Sequence, residues 1–291
     1  MDSINKRSYG QKLKAYKRSP LSLILFLLVM VSTILTIGIL LFLIGYIMIK
    51  GIPNIKPELF QWEYNTLNMS LMPALINTVI MTLISLLIAA PIGIFSAIYL
   101  VEYAKRGNRL IGIIRITAET LSGIPSIVYG LFGLLFFVTA LRWGMSLLAG
   151  AFTLSIMILP LIIRTSEEAL KAVPDSYREG SFGLGAGKLR TVFKIILPSA
   201  MPGILSGVIL GIGRIVGESA ALIYTAGTVA EIPKGRDFLF DSTRTLSVHM
   251  YALTSEGLYI NQSYATAVIL FIIVVLINWL SGFIAKKLSK A

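Results

Sequence analysis

No cysteine occurs in the 291 residues, and histidine occurs once, at position 249. The first absence excludes disulfides and thiolate metal sites. The second leaves His249 without companions at metal-ligand spacing. Charge is scarce, at 14% of residues, and acid is scarcer than base: 14 Asp and Glu stand against 26 Lys and Arg, for a formal net charge of +12. No Gly-Lys-Ser/Thr phosphate loop is present, so the chain is not expected to hydrolyse ATP, bind a cofactor or hold a metal itself. The apolar runs lack the clustered acids, histidines or metal motif that a membrane-embedded enzyme needs.

What is abundant is apolar: 56% of residues are hydrophobic and the mean hydropathy is +0.82. Such a composition belongs to an integral membrane protein. Apolar runs lie at 21–49, 72–99, 116–140, 143–163, 201–224 and 265–284, each near the ~20 residues that cross a bilayer. The predicted fold is all-α and polytopic, with about six transmembrane helices. Its predicted divisions are a cytoplasmic segment (1–19), a first transmembrane helix (20–50), an extracytoplasmic loop (51–71) and a permease core (72–287). Within the core lie a cytoplasmic loop at 164–198 and an extracytoplasmic one at 226–264.

The basic residues test this map. About 19 of them fall in the segments placed inside and about six outside. The positive-inside rule therefore puts both termini in the cytoplasm of a multi-pass inner-membrane protein. Orientation and anionic headgroups account for the excess charge. Nucleic acid is not expected as a partner, because the basic residues are dispersed and no basic, aromatic-interleaved platform occurs. Aromatic residues of the outer loops, Phe60, Trp62 and Tyr64 in one and Phe238, Phe240, Tyr251 and Tyr259 in the other, suit either interfacial anchoring or contact with a soluble partner.

Residues 174–198 form a polar handle between the fourth and fifth spans. Ser176 followed by Glu179 fits a capping box, with Pro174 just upstream. Gly183, Gly185 and Gly187 supply the backbone freedom of a helix stop. A second short helix is expected before Pro198. The spacing of Glu179, Gly185, Ile195, Leu197 and Pro198 resembles the EAA signature of ABC importer permeases. Gly180 and Ser181 stand where that signature usually has two alanines; both are small, although glycine weakens a helix by ~1 kcal/mol relative to alanine.

The run Gly123-Ile124-Pro125-Ser126, the stretch Arg164 to Pro174, and the segment from Gly211 to Glu218 extend the likeness. Together they resemble the A-type permease subunit of the phosphate-specific ABC importer, a type I importer transmembrane subunit. The resemblance implies import of inorganic phosphate, with sulfate or molybdate as alternatives. It also implies a second homologous permease subunit, an extracytoplasmic phosphate-binding protein, and two cytoplasmic ATPase subunits that bind ATP and Mg. Glu179, Gly185, Ile195, Leu197 and Pro198 would form the ATPase coupling element. A secondary transporter or channel without an ATPase would need an internal inverted repeat, and none is convincing.

Arg214 and Glu218 are the residues best suited to a translocation path. An unpaired Arg at mid-bilayer costs at least ~2.5–3.5 kcal/mol, and Glu218, four residues on, is expected on the same helical face as an ion-pair partner. Such a pair either lines an anion path or holds helices in register. Gly203, Gly207 and Gly211 make one small-residue ladder and Gly213 with Gly217 another, so a helix should pack closely there. The family resemblance implies that this helix comes from the second permease subunit. Gly123, Pro125 and Ser126 break the third span, and freed backbone N–H groups there would suit an anion path; a kink satisfied by neighbours is the other reading. Glu119, Asn77 and Asn278 suit helix-to-helix hydrogen bonding better than ligand binding.

Overall fold

The computed structural model describes residues 20–104, 109–255 and 257–288. Lys6 to Arg18, Lys105, Arg106 and Lys290 lie outside the described residues. The chain divides into two units, Met1–Lys50 and Gly51–Ala291.

The first unit is dominated by one helix, α1 (Pro20–Gly51). Its face is apolar all round, which suits a span in lipid. The hydroxyls of Thr33 and Thr36 donate to the carbonyls of Val29 and Ser32, each at 2.8 Å. These two polar side chains thus satisfy themselves within the helix.

In the second unit, α2 (Met72–Ile98) runs on into a π-helical turn at Tyr99–Tyr103. Then come α3 (Arg109–Ser122), α4 (Ser126–Gly133) with a π extension to Ala140, and α5 (Leu147–Lys171). The handle holds α6 (Asp175–Gly183) and α7 (Lys188–Thr191). A π turn at Val192–Ile196 joins α7 to α8 (Leu197–Val216). The chain closes with α9 (Ala220–Thr225), α10 (Leu246–Ser255) and α11 (Ile260–Leu288). No strand occurs among the described residues. Five helices are long and apolar enough to cross a membrane, and α3 with α4 make a sixth if the bent pair is one span.

The centre of this unit is α5, the most buried of these apolar helices. Ser146 starts it as an N-cap, accepting from the Ala149 N–H at 3.2 Å. Leu147, Leu154, Met157, Ile158 and Ile162 from one face join Met81, Tyr129, Ile215 and Leu222 in the main core. Along α2, Ser155 donates to the Ser85 carbonyl at 3.1 Å and Ser85 donates to the Ala151 carbonyl at 3.3 Å. A Cβ on Gly93 would lie 2.7 Å from Ile162, so that glycine permits the close approach of α2 and α5.

Several boundaries differ from those read in the sequence. The fourth span begins at Leu147, not Trp143, and continues to Lys171, because Arg164, Glu168, Glu167 and Lys171 pair along the helix and carry it past the apolar run. The handle helix begins at Asp175 with Pro174 as its N-cap, and no side chain caps it, so Ser176 lies inside the first turn and no capping box forms. Its stop is as expected: α6 ends at Gly183, and Gly185 takes the left-handed φ of +82°. The short helix expected before Pro198 is present as α7, but the chain does not stop there. Residues Lys188–Val216 form one continuous span, and Pro198, in the first turn of α8, lacks an N–H where the loss is small.

Candidate functional site

Two helix breaks occur in the second unit. At Gly123–Pro125 the chain turns by 102° between α3 and α4, as expected for a Gly-x-Pro interruption. The N–H groups of Gly123 and Ile124 donate back to the carbonyls of Thr120 and Leu121, both at 3.1 Å. These two amides are therefore not free beside a path, and the expectation of freed N–H groups at Gly123 is not met. Ser126 begins α4 and is half-buried, while Pro125 is exposed.

The second break overturns the reading of a single fifth span over 201–224. Helix α8 stops at Val216, and Gly217 to Ser219 separate it from α9. Arg214 and Glu218 consequently do not share a helical face. No ion pair joins them, and Arg214 has neither an ion pair nor a hydrogen bond among the described residues. Glu218 instead accepts from the Ala221 N–H at 3.0 Å and so caps α9. Its backbone carbonyl accepts from the Ser247 hydroxyl at 2.5 Å. The reason is local: α8 stops at Val216, and the carboxylate finds the unpaired amide of the next helix.

The two breaks are held against each other by small residues. A Cβ on Gly130 of α4 would fall 2.8 Å from the Ala221 Cα of α9. Tyr129, buried beside it, donates to the Leu121 carbonyl at 2.7 Å, and the Arg214 charge acts on its phenol.

Arg214 lines a cavity of about 350 Å³ bounded by α3, α5 and the end of α2. Its charged walls are Arg115, Arg164, Lys171 and Arg214 on one side of the ledger and Glu119, Glu167 and Glu168 on the other. Glu167, nearly buried, lies 2.6 Å from both Arg115 and Lys171. Arg164 pairs with Glu168 at 3.1 Å. Among these described cations Arg214 alone lies within ion-pair distance of no carboxylate, and four cations against three carboxylates leave the cavity lining with one positive charge in excess. Guanidinium in such a setting offers several N–H donors to an oxyanion.

In the handle, Glu179, Gly185 and Pro198 are exposed, Ile195 and Leu197 are half-buried, and Leu184 is 91% exposed. Glu179 makes no ion pair, whereas its neighbour Arg178 is drawn inward. Its Nη2 donates to Glu102 at 2.7 Å and to the Leu170 carbonyl at 3.0 Å, and its Nη1 to the Val173 carbonyl at 2.9 Å. No sequence pattern links Arg178 to a glutamate 76 positions away, so this contact was out of reach of spacing arguments.

A second polar cluster, also unanticipated, lies under the segments 51–71 and 226–264. The Arg244 guanidinium stacks over the Tyr64 ring at 4.5 Å, and His249 meets the same ring edge-on at 6.0 Å. Tyr64, half-buried, thus packs between Arg244 and His249. Asn77 donates to the carbonyls of Glu231 at 2.9 Å and Arg244 at 3.4 Å, so it ties α2 to a loop and not, as expected, to another helix. Burial, with a further contribution from Arg244, holds the His249 pKa down to about 3.

Apolar crossings arranged around a charged cavity, with an exposed helical handle at one end, define a polytopic transport subunit of the membrane. The chain belongs to the family of binding-protein-dependent transport system inner membrane components, whose profile matches residues 89–290. It is 33% identical to a probable ABC transporter permease protein, YqgI, of Bacillus subtilis (strain 168), over 87% of this chain and 92% of that one. To the phosphate transport system permease protein PstA 2 of Mycobacterium bovis it is 37% identical, over 72% of this chain and 71% of that one. In fold it is similar to a bacterial alginate ABC transporter solved in complex with an alginate pentasaccharide-bound periplasmic protein. That likeness has a TM-score of 0.69 at 15% identity and covers 95% of this chain and 98% of the other.

Proposed function

We propose that this chain is the permease subunit of an ATP-driven importer that moves inorganic phosphate across the cytoplasmic membrane, with Arg214 as the charge that draws the anion through. The observation that carries the reading is the unpaired Arg214 in a cavity whose other cations are ion-paired and whose lining carries one positive charge in excess. Relatives named as phosphate permeases support this choice of anion over sulfate or molybdate. Glu218, fixed as the cap of α9 beside the same break, limits how tightly the anion is held. The exposed Glu179 and Leu184 suit the handle to a cleft in a cytoplasmic ATPase, where ATP and Mg would bind. A second permease subunit and an extracytoplasmic binding protein complete the assembly, with both termini of this chain in the cytoplasm.

Uptake of labelled phosphate in cells lacking their own permease, normalised to inserted protein, tests the path. Arg214→Gln should abolish uptake with abundance near normal, because no partner is stranded by the change. Arg214→Lys should keep part of it, as a point charge without the planar fork. Normal uptake by Arg214→Gln would refute the role of this residue.

A further inference from the structure

The handle is fastened to one place. Arg178 on α6 is only 16% exposed in its side chain, and Glu102 on the π turn that ends α2 only 8%. Both Nε and Nη2 of Arg178 donate to Glu102 Oε1, at 3.1 and 2.7 Å. Arg178 also donates to the Val173 and Leu170 carbonyls and, within α6, to the Asp175 carboxylate at 3.1 Å, so one guanidinium joins α6, the end of α5 and the end of α2. A neighbouring contact repeats the connection: Lys188, at the start of α7, lies 4.9 Å over the ring of Tyr103 on the same π turn. Within the handle the buried hydroxyls of Ser181 and Thr191 meet at 2.8 Å, which binds α6 to α7. The handle therefore bears as one piece on residues 99–103.

From that turn a displacement has a direct route to the anion cavity. Leu100, two residues before Glu102, lines the cavity, and α2 is locked to α5 by the Ser85 and Ser155 hydrogen bonds and by the Gly93 contact. Helix α5 in turn supplies Arg164, Glu167, Glu168 and Lys171 to the cavity wall. We propose that Glu102 and Arg178 are the positioning pair that converts movement of the handle into movement of α2 and α5 around Arg214. Neither residue touches substrate. The inference rests on the reading of the handle as an ATPase-docking element.

The test uses the whole transporter, permeases, ATPases and binding protein together, in proteoliposomes, with phosphate uptake and ATP hydrolysis measured in the same sample. Glu102→Ala should keep the ATPase bound and hydrolysing while phosphate carried per ATP falls at least fivefold. Glu102→Gln, which keeps an acceptor for Arg178, should retain at least half the parental ratio and guards against a folding defect. In a Glu102→Cys, Arg178→Cys chain, which otherwise has no cysteine, a bifunctional thiol reagent should restore the ratio and a reductant should remove it again. An unchanged ratio in Glu102→Ala, a loss that only tracks lost assembly, or no recovery on bridging would each overturn the proposal. Failure of the parental chain to retain an ATPase is a separate result that would sink the docking reading itself.

Discussion

Below about pH 6.5 an unfolded chain protonates His249, whereas the folded one keeps it neutral down to about pH 3, because burial and then Arg244 oppose a second positive charge there. The unfolded state then binds more protons, so this group costs nothing above pH 6.5 and destabilises the fold progressively as pH falls towards 3. The slope is about 1.4 kcal/mol per pH unit. Between pH 6.5 and 5 the detergent-solubilised protein should lose ~2 kcal/mol through His249 alone. His249→Gln should remove that part of the loss, read as a smaller shift of the unfolding midpoint between pH 7.5 and 5. An equal shift in both proteins would show that His249 titrates freely. The sequence shows His249 as a lone imidazole in a loop. Its burial against Tyr64, and the charge of Arg244 above the same ring, arise from segments far apart in the chain and leave no local signal. Arg214 was legible as a charge in an apolar run. Its lack of a partner was not, since the four-residue spacing to Glu218 holds only while the helix continues.

Helix breaks and glycine ladders show the same division at the scale of elements. Gly123 and Pro125 announced their break because backbone chemistry is local, and Gly185 announced the stop of α6 for the same reason. Gly217 gave a weaker signal, being one of several glycines in α8 that the helix tolerates. The ladder of Gly203, Gly207 and Gly211 correctly foretold a close helix, but that helix is α5 of this chain and not a second subunit. A Cβ on Gly203 would lie 2.6 Å from that of Ala169, and one on Gly207 would run into Thr165. Gly213, by contrast, has nothing within 4 Å. Gly207→Val should therefore lower the unfolding midpoint and the amount of inserted protein by forcing α8 from α5, at a cost of roughly 1–3 kcal/mol. Gly213→Ala should be tolerated. Equal stability of the two variants in detergent would contradict this packing.

At the scale of the whole molecule the proposed orientation, with both termini in the cytoplasm, rests on the distribution of basic residues. Single cysteines at Ser3 and Ser289, both outside the described residues, should resist an impermeant thiol reagent added to sealed cells. One at Asn261, exposed at the start of α11, should react. Labelling of either tail would reverse the topology. Most of the six crossings were legible because a bilayer demands long apolar runs, and the bent α3–α4 pair was the one whose passage length alone left open. Contacts between α2 and α5 close that question by counting. Ser85 meets Ala151, Gly93 meets Ile162 and Glu102 meets Arg178, so the two helices advance in the same direction. A chain that has climbed once and must climb again beside its first track has to descend in between. The bent α3–α4 pair, which lies between them in the chain, suits that descent.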